Sequence, residues 1–544
     1  ICCVAVQITR GYYNFEWGVY FQHLFVFELI PWLFIDVIAL LIQSLAKAKH
    51  IGHSVVILFY GLLISLNAFG FDHHLYLIGD LPVAEYSDMN GYGTTAYPFI
   101  VYSLYWALYS VVCGLLTLLF WPRGVEQTYR SRLACFQQRL TPLYKSGLAV
   151  SISGFIIVGG FIFYNTNILN RYESKADQEK DNANYERQFK RFQNMPQPEL
   201  VAAKLEVDIF PETQTLKTRG RLTYKNKTQT PITTVLIYHD EHLHAEKLSW
   251  SCAARLKQNY PLLESQIYEF ENPLPPGQTV FLDFDFIREP HGFSNDEFNK
   301  EIVQNGSFLR NADLCPTVGY IPQFELSEDD TRRANGLGHK KRMPDVNDRT
   351  ALAKTYISNE GTWIDFDATI STSADQIALA PGSLTKQWQQ GGRAYFHYQM
   401  KRPMLNFYAI LSGRYTVARD KWHNVDIEIY YHPSHTYNIA RMIKAAKASL
   451  EYCTTNFSPY QFKQLRIVEF PRYTKHAQSF ATMIPFSESI GFIADVKDND
   501  PESIDYPFFV TAHEVAHQWW AHQVIGGNVQ GATMLSESLA EYCA

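Results

Sequence analysis

The chain carries one stretch whose residue types and spacing suit metal chemistry: Thr511-Ala-His513-Glu514-Val-Ala-His517-Gln-Trp-Trp. His513 and His517 stand four positions apart, so on a helix they share a face and can ligate one ion through imidazole nitrogen. Glu514 follows the first histidine and borders the same site, where it can take a proton from a water held there. A catalytic zinc site needs a third protein ligand and an open position. The next acids downstream are Glu537 and Glu541, in Met534-Leu-Ser-Glu537-Ser-Leu-Ala-Glu541-Tyr. They are one helical turn apart, so one can bind the ion and the other can orient a ligand from behind.

His513-Glu-Val-Ala-His517-Gln-Trp-Trp followed by Leu535-Ser-Glu537-Ser-Leu-Ala-Glu541-Tyr resembles the gluzincin aminopeptidases of the aminopeptidase N family. The resemblance covers roughly 200–544, including a β region, a helix and then Leu465-Arg-Ile-Val-Glu-Phe-Pro471. It implies His513, His517 and Glu537 as ligands of one Zn2+ per chain, Glu514 as general base and Glu541 as a supporting carboxylate. It also implies a thermolysin-like α+β peptidase domain that hydrolyses peptide amides.

Three departures stand out. Between His517 and Glu537 lie 19 residues, one more than is usual in that family. The extra residue is placed in Ile525-Gly-Gly-Asn528, where glycines absorb an insertion, and Glu537 is kept as the ligand because Ser536 at the usual position is a poor one. The family's G-x-M-E-N segment, which holds a substrate's free amino terminus, has no counterpart in His476-Ala-Gln-Ser-Phe-Ala-Thr-Met-Ile-Pro-Phe-Ser-Glu488. Glu488 could stand in for its carboxylate but aligns with a later family position, so the substrate-binding residues and exopeptidase specificity stay open. The family's transition-state tyrosine lies well beyond the second glutamate, and Tyr542 is too close to fill that role. His522 is one position off the ligand face and reads as an ordinary histidine; Trp519 and Trp520 read as packing.

Several elements must position this site. In 426–544, Ile439, Met442, Ile443, Ala446 and Leu450 fall at helical spacing, Leu465–Phe470 reads as a strand, and the remainder is helical with a loop near 495–506. In 201–425, Leu205, Val207 and Ile209 alternate with polar neighbours, Pro211-Glu-Thr-Gln turns, and further alternating runs at 233–238, 280–286 and 425–431 predict an antiparallel β domain. The basic stretch 332–349 interrupts it and carries no assigned role. The charge-dense run 171–200, closed by Pro196 and Pro198, predicts a helical stalk or linker.

Residues 1–170 differ from the rest. Segments 55–71, 97–121 and 147–169 carry no charge, and 29–45 carries only Asp36; each approaches the roughly 20 apolar residues that cross a bilayer. An ionised carboxylate at that depth costs at least ~2.5 kcal/mol, so Asp36 is expected to face a helix partner or a wet cavity. The loop 46–53 carries Lys47 and Lys49, and 122–146 carries Arg123, Arg130, Arg132, Arg139 and Lys145 against Glu126. The loop 72–96 carries Asp72, Asp80, Glu85 and Asp88 with no Lys or Arg. Positive charge stays on the cytoplasmic side, which puts 72–96 and everything after about 170 outside the cytoplasm. The basic stretch 123–145 is expected along the cytoplasmic membrane face. With four spans the chain resembles a bacterial subgroup in which ABC-transporter-type permease segments are fused to such a peptidase. That implies a multi-pass inner-membrane protein, a periplasmic peptidase domain and an ABC ATPase subunit as partner, since the chain has no G-x-x-x-x-G-K-S/T of its own.

The fold class expected is therefore multi-domain: a transmembrane α-helical region, an antiparallel β domain, then a thermolysin-like α+β zinc peptidase domain. The 544 residues suggest three or four units. An apolar content of 47% with 19% charged residues excludes a disordered chain. Lys+Arg of 48 against Asp+Glu of 54 gives no basic face for nucleic acid. Eight scattered cysteines make no disulfide framework, and the pairing of Cys252, Cys315, Cys453 and Cys543 is not readable from spacing. No signal peptide is visible, and the opening at Ile1 and the stop at Ala544 inside a helical pattern read as a piece of a longer protein. Two functions compete: a membrane-anchored zinc peptidase acting on peptides outside the cytoplasm, and a permease component whose peptidase-like domain binds or senses peptides without cleaving them. An intramembrane protease is excluded by position, because His513 lies over 340 residues beyond the last span.

Overall fold

The computed structural model describes residues 2–83, 85–121, 129–295, 298–358, 360–498 and 503–544. The chain forms two compact units: Ile1–Ala84 with Thr94–Ala176 and His291–Phe298, and Glu85–Gly93 with Asp177–Pro290 and Asn299–Ala544.

In the first unit four helical segments are long and apolar enough to cross a membrane: Trp17–Leu45, Lys49–Leu66, Gly93–Phe120 and Pro142–Leu169. The first runs further upstream than 29–45, because the π-helix Gln22–Glu28 joins Trp17–Phe21 to Leu29–Leu45. The second starts earlier than 55 and ends before 71. Gly70, at φ +83°, takes the left-handed position that closes a helix, and the Phe71 N–H returns to the Leu66 carbonyl at 3.1 Å. The last begins at Pro142, whose missing N–H costs nothing in a first turn. Two neighbouring helices approach closely where Gly154 faces Leu108 and Gly159 faces Tyr105. Asp36 is exposed among the described residues rather than set against a helix, because Phe34 and Ile38 turn inward and a residue two positions away lies on the opposite face.

Arg123 and Glu126 lie outside the described residues. Arg130, Arg132 and Arg139 of that loop lie on the helix Tyr129–Arg139, and Lys145 lies in the first turns of Pro142–Phe163. Arg132 donates to the Ser44 carbonyl at 3.2 Å, and Arg139 to the Leu119 and Trp121 carbonyls at 3.1 and 2.7 Å. Both guanidinium groups therefore cap the carbonyl ends of apolar helices, where positive charge is favoured.

The second unit is built on sheets. Leu205, Val207 and Ile209 are buried and Glu206 is exposed in the strand Glu199–Phe210, the period-two pattern of a half-buried sheet. That strand pairs antiparallel with Thr215–Lys225 but parallel with Trp363–Ser373, in register Leu205↔Ala368. The β region is thus mixed rather than wholly antiparallel; parallel neighbours need a long crossover, and over 150 residues of intervening strands supply it. The boundary read at 425/426 falls at a hairpin, Thr416–Trp422 with Val425–Tyr431, which continues into parallel strands Gln464–Phe470 and Met483–Ser487. The helix Ile439–Asn456 packs Met442, Ala446 and Leu450 onto this last sheet. All eight cysteines are free.

The run at 171–200 is helical, as Lys175–Phe189, with one buried face. Tyr185, Phe189 and Phe192 are buried against Leu236, Ile267 and Tyr320. Their spacing of four and three makes one apolar stripe among the charges.

Beneath the main sheet sits Glu360, whose carboxyl accepts from the Val318 N–H at 2.8 Å and the Tyr224 hydroxyl at 3.1 Å. Burial pushes it up to about 8, against the lowering effect of those two donors. The folded protein then holds a proton that the unfolded chain releases, so stability falls as pH rises from about 4.5 through about 8, by at most ~1.4 kcal/mol per pH unit. Glu360→Gln should flatten that slope in a pH series of thermal unfolding; an unchanged slope would assign it to another group.

Candidate metal centre

The helix Tyr506–Ala516 opens with Asp505, whose side chain accepts from the Phe508 N–H at 3.1 Å, and with Pro507 in its first turn. Thr511, Ala512, Val515 and Ala516 turn inward, and the Ser449 hydroxyl donates to the Ala512 carbonyl at 3.1 Å. These contacts present His513 and His517 on one face.

The His513 and His517 Nε2 atoms are 3.0 Å apart, and Glu537 Oε2 lies 3.7 and 3.6 Å from them. A carbonyl can only accept, so the 3.0 Å contact from His517 Nδ1 to the Trp520 carbonyl makes Nδ1 the donor and leaves Nε2 as a lone pair. Two imidazole nitrogens and a carboxylate oxygen converge on one point, a donor set that suits a zinc-class ion. Glu541 Oε2 stands 3.2 Å from His513 Nδ1, close but without hydrogen-bond geometry, on the side from which a carboxylate can orient a ligating ring. Glu537 opens the helix Glu537–Cys543, after a turn through Gly531 at φ +79°.

Glu514 is 6% exposed, and its Oε2 has no hydrogen-bond partner. Burial first, then the Glu537 charge, pushes its carboxyl up to about 8, while the Ser479 N–H pulls it down. That loop is itself held: His522 Nε2 meets the Ser479 carbonyl at 3.1 Å, and Gln518 Nε2 donates to the Ser479 hydroxyl at 2.8 Å. Burial drives His522 down to about 4, so it stays neutral and outside the ligand set. Trp519 is buried and donates to the Ser458 carbonyl at 2.8 Å; Trp520 stacks edge-on against Phe457.

Two features were not evident from the sequence. The segment 351–356, distant in the chain, reaches the centre. Its Lys354 carbonyl accepts from the Asn528 N–H at 2.8 Å, and the Tyr356 hydroxyl bonds Ser536, the neighbour of Glu537. Gly526 and Gly527 allow this approach, since a Cβ on either would sit 2.5 Å from the Ala532 carbonyl or 2.9 Å from the Leu352 backbone. Second, Glu488 does not join the centre. It is fully buried in a separate cluster with His435 and Glu469.

No protein-family model matches the chain, and no curated protein does. Among solved structures it is similar to the M1 zinc metallopeptidase of Deinococcus radiodurans, at 16% identity and a TM-score of 0.41 over 64% of this chain and 70% of that one. It is similar to a variant of that enzyme bound to a Tyr-Ser-Ala substrate, at 16% identity and a TM-score of 0.41 over 64% and 69%. A two-domain M1 zinc metallopeptidase variant bound to L-tryptophan shows 15% identity and a TM-score of 0.40 over 64% and 70%.

Proposed function

We propose that this chain is a membrane-anchored zinc metallopeptidase, aminopeptidase-like, that hydrolyses peptides outside the cytoplasm. The observation that carries the reading is the convergence of His513, His517 and Glu537 beside a buried Glu514 carboxyl with an unpartnered oxygen. His513, His517 and Glu537 would hold the ion. Zinc, when bound there, supplies a Lewis acid for the scissile carbonyl and lowers the pKa of water. With a cation beside it to offset the burial that raises its carboxyl, Glu514 would be ionised, take the proton of the attacking water on its free oxygen and return it to the leaving amine. The Ser479 N–H steadies that carboxyl through the transfer. Glu541 keeps the His513 ring turned toward the ion.

The setting we infer is a bacterial inner membrane, with four spans in the bilayer and the peptidase on the periplasmic side, because basic loops such as 46–53 and 122–146 are favoured on the cytoplasmic side. A second reading has one observation in its favour. With G-x-M-E-N absent and Glu488 buried elsewhere, no carboxylate is assigned to a substrate's amino terminus. The chain would then be an ABC-type permease component, working with an ATPase subunit, that binds peptides without cutting them. The full chain in detergent separates the two. Zinc that is lost in His513→Ala/His517→Ala, together with peptide hydrolysis abolished by a chelator and restored by zinc, supports the enzyme; zinc at that site with no hydrolysis supports the binding role.

A further inference from the structure

A second group of ionisable side chains lies apart from His513, His517 and Glu537, in the body of the same unit, and the proposed mechanism does not use it. His435 is 1% exposed and Glu469 and Glu488 are fully buried. They come from three places: the turn after the strand Val425–Tyr431, the end of the strand Gln464–Phe470, and the turn after Met483–Ser487. One ligating atom of each lies within 4.8 Å of the other two. Each side chain is held from behind on its other atom. Asp88 Oδ2 stands 3.0 Å from His435 Nε2. The His432 N–H donates to Glu469 Oε2 at 2.6 Å, and the Ser87 hydroxyl donates to Glu488 Oε2 at 3.0 Å.

Those outer contacts leave an inner set. Asp88 accepts a hydrogen bond from the Nε2–H, which in the neutral ring makes Nδ1 the lone-pair atom. Nδ1 faces Glu469 Oε1 at 2.5 Å, a hydrogen-bond separation that an imidazolium proton fills and that a divalent cation can take over in that proton's place. Glu488 Oε1, buried, has no partner at all. One imidazole faces two fully buried carboxylates, Glu469 and Glu488, with the half-buried Asp88 behind it; a single ring cannot balance all three, and burial makes the remaining negative charge costly. A carboxylate–histidine arrangement with two further carboxylates facing the ring nitrogen is the donor pattern of a bound zinc-class ion, which accepts mixed nitrogen and oxygen ligands.

We propose that His435, Glu469 and Glu488 form a second divalent-cation site of the zinc class, with Asp88 as the carboxylate that positions the His435 ring. The ion would tie the segment Glu85–Gly93, which supplies Ser87 and Asp88, to the rest of its unit. The site does not rest on the peptidase reading, and the two can fail separately.

The test uses the full chain in detergent, loaded with Zn2+ alone and dialysed before metal analysis. The His513→Ala/His517→Ala chain is expected to keep one zinc, and adding Glu488→Gln to remove it. Asp88→Asn on that same background should weaken zinc binding about 10–100-fold, since it keeps the three ligands and loses only the ring's orientation. If Glu488→Gln fails to fold, Co2+ in place of zinc in the His513→Ala/His517→Ala chain gives the readout. Visible d–d bands sensitive to Asp88→Asn support the site, and their absence overturns it. A His513→Ala/His517→Ala chain with no zinc overturns the second site while leaving a zinc-bearing wild type as a peptidase candidate. Zinc removed by Glu488→Gln and untouched by His513→Ala/His517→Ala would uphold this site and sink the first.

Discussion

Glu514→Gln should slow peptide hydrolysis by about 10²–10⁴-fold, the usual contribution of a positioned acid–base group, at unchanged zinc content. The amide has the shape of the carboxyl and can still accept from Ser479, so the helix and the two histidines stay as they are. What is lost is the oxygen that has no partner in the resting protein and is therefore free to receive a proton. Turnover of a peptide with parallel metal analysis checks this. A variant with wild-type turnover would mean that another group accepts the proton. Glu541→Gln, by contrast, should cost only about 10–100-fold in metal affinity or activity, since it acts through the His513 ring.

Arg332→Ala should be the most damaging substitution away from the metal. Arg332 is 3% exposed; its guanidinium bonds both Glu186 oxygens at 2.8 Å, and also the Leu326 and Gly338 carbonyls, each at 2.7 Å. Removing it leaves the Glu186 carboxylate buried and unpaired, a loss of about 3–5 kcal/mol. Because Glu186 sits on the helix Lys175–Phe189, that helix should open first. Its amides should exchange hydrogen on the order of 10²–10³-fold faster, while those of the helix Tyr506–Ala516 change little. Arg332→Lys should not rescue, because an ammonium cannot span both carboxylate oxygens. Equal loss of protection in both helices would contradict the local account.

Local pattern explains what could be read from residues alone. The two histidines four apart declare their shared face, because helical period is a property of a short stretch. The apolar helices declare themselves by length. The alternation at Leu205, Val207 and Ile209 marks a strand, yet says nothing about which strand lies beside it. The parallel partner 365–371 is fixed by packing across more than 150 residues. The same limit hid Tyr356 beside Ser536 and Asp88 beside His435, pairs brought together only by the tertiary fold. One signal was present and masked. Tyr185, Phe189 and Phe192 form a stripe at helical spacing, but Glu186, Arg187, Lys190 and Arg191 among them give the run a solvated look. Glu186 is itself drawn inward, because Arg332 supplies its counter-charge from a stretch that otherwise looks like an unremarkable basic loop.

The most direct test of the central claim is crystallographic: anomalous scattering at the zinc edge from the protein grown with Zn2+. The account predicts a peak about 2.0–2.2 Å from His513 Nε2, His517 Nε2 and a Glu537 oxygen. Density showing these three side chains ordered around no peak, or Glu537 turned away from both rings, would contradict it.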